Sequence, residues 1–380
     1  MRPRLTIGSL LIVLSACMQQ EPTSPALPPS DESPSLSRGG QVGVVYSLTN
    51  APGGNAVHVW SRASDGALAD AGVYPTGGAG TGAGLGSQGA VTLSDDGRFL
   101  IAVNAGSNEI TAFAVDGDRL TMLDKVASGG VMPVSVDLHK HLVYVVNAGG
   151  SGNIAGFRID KSGLSPIAGS SRPLSSSAAG PAQISFTPDG DALVVTEKAT
   201  NVISTYTLDA EGRAQGPNAI PSAGQTPFGF AFSHRSVLIV SEAFGGAVDA
   251  SAASSYTVND ASLSLISGSV STTETAACWF VVTPDGKYAY TTNTGSGSVS
   301  GYAVGSDGRL TLLTAGGKTG VTGPGSTPID EAVSRNGRYL YVLATGARAI
   351  VAFAIAPDGS LINLGGATGL PAGMVGLAAQ

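Results

Sequence analysis

Cysteine is nearly missing from this chain: Cys17 and Cys278 are the two among 380 residues. That number cannot build a disulfide framework, so stability has to come from packing. Charge is scarce too, at 12% of residues, with 20 Lys and Arg against 27 Asp and Glu. A net charge of −7 excludes a nucleic-acid groove, which needs concentrated basic side chains, and no nucleic-acid partner is expected. No apolar run reaches the roughly 20 residues of a membrane-spanning helix. No window shows the i, i+3, i+4 apolar spacing of an amphipathic helix, which excludes helical solenoids.

What the chain does have is a phrase said repeatedly. Phe99 to Val115 reads FLIAVNAGSNEITAFAV, with paraphrases from Leu142 to Ile159, Ala192 to Leu208 and Tyr288 to Val304. The polar residue ending each apolar run recurs as Asn50, Asn104, Asn147, Glu197, Glu242 and Asn293, with Ala344 in the last copy. Seven copies at a period of about 50 residues, each built of β-branched and aromatic segments, predict β-propeller blades. The copy around Ile184 parses as four strands, with Pro188-Asp189-Gly190 as a hairpin turn. Asp96-Gly97, Asp285-Gly286 and Asn336-Gly337 mark the same turn elsewhere, because glycine supplies positive φ. The expected fold is all-β: a seven-bladed propeller of four-stranded antiparallel blades. The segment from Leu370-Pro371 onward should add the inner strand that blade one lacks and close the ring.

The N-terminus reads separately. Residues 1 to 16 combine Arg2 and Arg4 with an apolar core and then Ser15-Ala16, as in a secretion signal. Leu14-Ser15-Ala16-Cys17 resembles the bacterial lipobox, which implies a lipid on Cys17 and a membrane partner through that anchor. Residues 17 to 41, rich in Pro and Ser, should form an extended tether, leaving 42 to 380 as the propeller. The expected location is outside the cytoplasm, at the outer membrane if the host has two.

The blade phrase, with its P-D-G-x-x-x-x-V turn and strand, its N-A-G-S or T-E-K-A-T-N end and D-G-x-L before the outer strand, resembles the seven-bladed lactonase-like propellers. These include 6-phosphogluconolactonases and carboxymuconate cyclases, and the resemblance spans about residues 42 to 380. It implies a glutamate at the end of a second strand, matched here by Glu197 and Glu242, as the candidate catalytic groups. It also implies arginines and a histidine after an inner-strand proline. Val134, Ala182, Phe228, Ile329 and Ala372 stand there instead, with Cys278 in blade six.

The rim on which the second strands end is therefore the candidate ligand site. Asn104, Asn147, Asn293, Gln183, Lys198, Trp279 and Asp330, with Ser135, are the expected ligand-binding residues. Asn at a strand end also caps loops, and Glu there also forms ion pairs, so the ring reads either way. His139-x-His141 reads as a polar turn rather than a metal site, and nothing calls for a cofactor. Gly84-Leu85-Gly86-Ser87-Gln88-Gly89 fits G-x-G-x-x-G but leads into a strand, so it reads as a loop. Two functions follow as expectations. One is binding of a small molecule, glycan or protein at the rim; the other is lactone hydrolysis by Glu197 or Glu242.

Overall fold

The computed structural model describes residues 41–233 and 237–380. The signal, Cys17, the tether up to residue 40 and His234 lie outside the described residues.

Seven antiparallel sheets make the blades, six of them formed by consecutive strands. Blade four is typical, with Pro181–Phe186 innermost, then Ala192–Glu197, Val202–Leu208 and Ala214–Pro221. The second strands are buried on both faces, which explains their continuous apolar runs; Phe99–Asn104 and Tyr339–Ala344 are buried at every residue. Outer strands are half exposed, and in blades three and six they break into two short pieces: Gly163–Pro166 with Arg172–Pro173, and Leu310–Leu312 with Gly320–Val321.

Blade one is completed from the far end of the chain. Val375–Ala379 pairs antiparallel with Gln41–Leu48, Val45 opposite Ala379 and Leu48 opposite Val375. This strand begins later than the sequence suggests. Ala372-Gly373 makes a turn in which Gly373 has φ +80°, so Pro371 does not open the strand.

Four hairpins from first to second strand share one device. The hydroxyls of Ser94, Thr187 and Thr283 donate to Asp96, Asp189 and Asp285, and that of Ser334 to Asn336, at 2.6–2.8 Å. Each following glycine has φ between +69° and +81°, where a side chain would be strained. Blade three differs: Lys140 takes the left-handed conformation at φ +55° in a tighter turn, with His139 opposite Leu142.

Blades are bolted to each other by buried tyrosines. The hydroxyls of Tyr46, Tyr144, Tyr290 and Tyr341 donate to the carbonyls of Gly117, Gly212, Gly359 and Gly66, each in the outer turn of the next blade. The last of these links blade seven to blade one. Burying each ring contributes on the order of 2 kcal/mol, and the hydroxyl finds a partner where water cannot reach.

Candidate functional site

The residues that end the second strands do not converge on a common centre. Asn104, Asn147, Glu197, Glu242 and Asn293 are all fully buried. Each ties the crossover entering its own blade to the blade itself, or to the third strand. Asn104 accepts from Thr76 Oγ1 at 2.6 Å and from Asn55 Nδ2, and donates to Thr111. Asn147 holds Ser128 at 2.7 Å, and Asn293 donates to Ser298 and Ser300.

The two glutamates do the same work with more acceptors. Glu197 takes the Ser175 N–H at 3.0 Å, with the hydroxyls of Ser175, Thr200 and Ser204. Glu242 takes the Gly224 N–H at 2.8 Å and the hydroxyls of Ser254 and Ser269. Burial pushes the Glu242 carboxyl above the usual range, and the bonds from Ser254, Ser269 and Gly224 oppose that shift. A loop N–H pointing at a strand end needs an acceptor, and carboxylate oxygens supply several.

Lys198, Trp279 and Gln183 lie near one another, gathered around the chain's own glycine-rich segment. Lys198 Nζ donates to the carbonyls of Gly86 and Pro181 and sits 4.9 Å from the Phe228 ring centre. Burial lowers its pKa to about 8. Trp279 Nε1 donates to Ser87 O at 2.8 Å, and the Trp279 and Phe228 rings are 4.8 Å apart. Ser87 Oγ in turn donates to Val134 O, and Gln88 N to Ala182 O. Residues 84–88 therefore plug this end of the channel, and two of the rim groups expected to hold a ligand, Lys198 and Trp279, hold the plug.

One blade explains why the plug exists. Along the inner strands, side chains at one register reach the next blade's backbone. Ser135 Oγ accepts from Ile184 N, and Gln183 exchanges two bonds with Phe230, at 2.8 and 3.0 Å. Blade five has Gly229 at that register and no side chain to offer. Gln88 arrives from the opposite side and makes the equivalent pair with Phe280, at 2.8 and 2.7 Å. A Cβ on Gly229 would lie 2.2 Å from Gln88 Oε1. Asp330 occupies the register in blade seven; Oδ1 accepts the Glu331 N–H, and burial raises its pKa well above the usual value against the pull of the Glu331 and Leu377 N–H groups.

The open space lies on the other side of the plug. A cavity of about 340 Å³ runs from Gln88 and Gly89 to Leu93, Pro284 and Ala379 beside the Asp-Gly turns, and every inner strand contributes to its wall. The inward row is fixed by register: Thr92, Asp137, Ser185, Ala231, Val281, Ala332 and Ala378 each pair with the equivalent residue of a second strand. The row is polar in blades two to four and apolar in the rest.

Asp137 is its single carboxylate. Ser185 Oγ at 2.7 Å and Phe186 N at 2.9 Å both donate to Oδ2, and the Leu138 N–H also bears on the carboxylate, which with two lone pairs on each oxygen retains acceptor capacity at Oδ1. Burial raises its pKa to about 6 against the pull of those donors. Behind the wall stands Glu331, where the other blades carry Val91, Val136, Ile184, Phe230 and Phe280. Its two carboxyl oxygens are buried, and burial, then neighbouring Asp330, pushes its pKa well up against the pull of the Thr292 N–H.

The sequence reading missed Asp137, Glu331 and Gln88. Aligning inner strands on the Ser or Thr before each Asp-Gly turn would have exposed the first two, but blade three lacks that turn. Neither His58, stacked on Trp60 at 3.9 Å, nor His139 nor His141 lines the cavity. No group of three His, Cys, Asp or Glu able to hold a metal occurs among the described residues.

Seven four-stranded blades closed by the C-terminal strand around a half-plugged channel define a seven-bladed propeller. Residues 53–166 match the family model described as Lactonase, 7-bladed beta-propeller. No curated protein matches significantly. Among solved structures, a Lactobacillus plantarum protein is similar at 17% identity, covering 90% of this chain and 99% of that one, with a TM-score of 0.72. The Pseudomonas aeruginosa periplasmic gluconolactonase is similar at 18% identity, with 87% and 98% covered and a TM-score of 0.68. A candidate 6-phosphogluconolactonase of Bacteroides fragilis gives 18%, 92%, 100% and 0.70. At such identities the likeness to these structures is one of fold. The chain is a seven-bladed propeller by fold, and residues 53–166 are similar to the lactonase family of such propellers.

Proposed function

We propose that this protein is an exported lipoprotein, anchored through Cys17, whose propeller binds a small molecule inside its channel on the side of the Asp-Gly turns. The observation that carries the reading is the 340 Å³ cavity with one carboxylate, Asp137, on an otherwise uncharged inward row. A concave space of that size with few polar groups is what a small-ligand site requires. The test is ligand-observed NMR of the purified protein with a panel of sugars, lactones and small amines, repeated with Ala231→Trp, which fills the channel. Binding lost in that variant is expected; binding that survives it would place the ligand elsewhere. For the anchor, labelled palmitate should enter the wild type and not Cys17→Ser, and equal labelling would remove the lipid from the account.

Lactone hydrolysis remains a second reading, with the gluconolactonase neighbour as a reason to assay it. Glu197 and Glu242 are poorly placed for it, because their oxygens are engaged within their blades and neither lines the cavity. Asp137, with a pKa of about 6, suits a general base better. The inward row offers no free donor pair for a developing oxyanion, however: Thr92 Oγ1 donates to Val136 O and Ser185 Oγ to Asp137. Turnover of gluconolactone that disappears in Asp137→Asn would establish the second reading over the first.

A further inference from the structure

We infer that the channel ligand is an organic ammonium ion with an apolar body, its charge held by Asp137 and its body lying against Ala231, Val281 and Ala332. This inference rests on the channel-binding reading above. It follows from counting which polar groups of the cavity are still free. The amides of Gln88 and Gln183 are consumed by the backbones of Phe280 and Phe230. The hydroxyls of Thr92 and Ser185 are donated to Val136 O and Asp137. The Asp137 carboxylate keeps acceptor capacity at Oδ1 beyond its Ser185, Phe186 and Leu138 donors, and no Lys, Arg or His lines the cavity to neutralise it.

A partly desolvated carboxylate without a counter-charge attracts a cation and repels an anion. The opposite side of the row is Ala and Val, which gives a hydrated metal ion nothing to bind but suits a hydrocarbon body. A single inward carboxylate also falls short of the several ligands that a divalent ion needs. The ionised state of Asp137 at neutral pH is consistent with its pKa of about 6.

The test uses three molecules of one shape, cyclohexylmethylamine, cyclohexylmethanol and cyclohexanecarboxylate, titrated calorimetrically into the detergent-solubilised full chain at pH 7.5. The amine is expected to bind about tenfold tighter than the alcohol, the equivalent of one modest ion pair, and the carboxylate not measurably. Asp137→Asn should remove the preference for amine over alcohol, while Asp137→Glu, which keeps the charge and guards against a folding artefact, should retain it. An alcohol that equals the amine in the wild type, or an amine preference unchanged in Asp137→Asn, would overturn the inference and leave the channel site standing. Failure of all three molecules to bind the wild type would overturn both the ammonium inference and the channel-binding reading beneath it.

Discussion

The two ends of the channel both carry polar side chains and differ in what completes their hydrogen bonds. At the plugged end Lys198, Trp279 and Gln88 bond to backbone groups of the chain itself. At the end of the Asp-Gly turns, Asp137 keeps an oxygen available and faces open space. Polar residues converging on a channel are therefore not a site by their presence alone. A ligand competes only for groups the fold has not already used, since displacing an intramolecular partner of a buried group forfeits a satisfied hydrogen bond.

The largest effect should come from the residues whose bonds are all internal. Glu242→Ala leaves the Gly224 N–H and the hydroxyls of Ser254 and Ser269 buried without their acceptor. A loss of about 3 kcal/mol or more is expected in urea unfolding, from several unsatisfied donors together. Glu242→Gln should cost less, because burial already disfavours the charged form. A midpoint unchanged by the Ala variant would show that Glu242 does not hold its blade, and would reopen it as a site residue.

Next comes the contact that seats the plug. Gly229→Ala would drive a Cβ towards Gln88 Oε1, with the Cys278 carbonyl and Phe280 N also within 3 Å. Overpacking of this kind costs about 1–3 kcal/mol. Gln88→Ala removes the same latch without a clash and should cost about 1–2 kcal/mol, while the Phe280 amide exchanges faster with solvent deuterium. Trp279 reports on both variants, since its indole N–H donates to Ser87 O and its emission should shift to the red if the plug loosens. A Gly229→Ala protein with wild-type stability and emission would mean that the plug is seated by other contacts, and the contrast between the two ends would weaken.

The blades were legible in the sequence because their causes are local. Alternating apolar residues, the hydroxyl-x-Asp-Gly turn and positive φ at glycine all act within a few residues, so seven repeats announce seven blades. Ring closure was legible too, although Pro371 misplaced the start of the last strand. The site was harder to read, because its geometry is set by residues far apart in the chain. Gln88 and Phe280 meet across 192 positions, and the glycine string that reads as a loop gives no hint that it crosses the channel. Glu197 and Glu242 replace Asn in adjacent blades, which drew attention to them. The difference turns out to lie in the loops they cap: Ser175 and Gly224 present backbone N–H groups where Thr76 and Ser128 present hydroxyls. Asp137 escaped notice because blade three lacks the Asp-Gly turn that aligns the others.

The smallest effect expected is also the one that tests the open end directly. Asp137 has a pKa near 6 in the folded chain and about 4 when unfolded, so between those values the folded state binds more protons. Its contribution to stability is thus fully present below pH 4 and is lost as pH rises through 6. Asp137→Asn abolishes this term. The variant should gain on the wild type by about 1–2 kcal/mol between pH 4 and pH 7.5, a value reduced from the full shift because the half-buried side chain is partly solvated. Thermal melts at the two pH values would measure it. An ammonium ligand should shrink the difference at pH 7.5, since it supplies the counter-charge that the cavity lacks and so stabilises the wild type alone. A wild-type-to-variant difference that does not move with pH would mean that Asp137 is an ordinary solvated carboxylate, and the open end would then be no more prepared for a cation than any acidic turn on the surface.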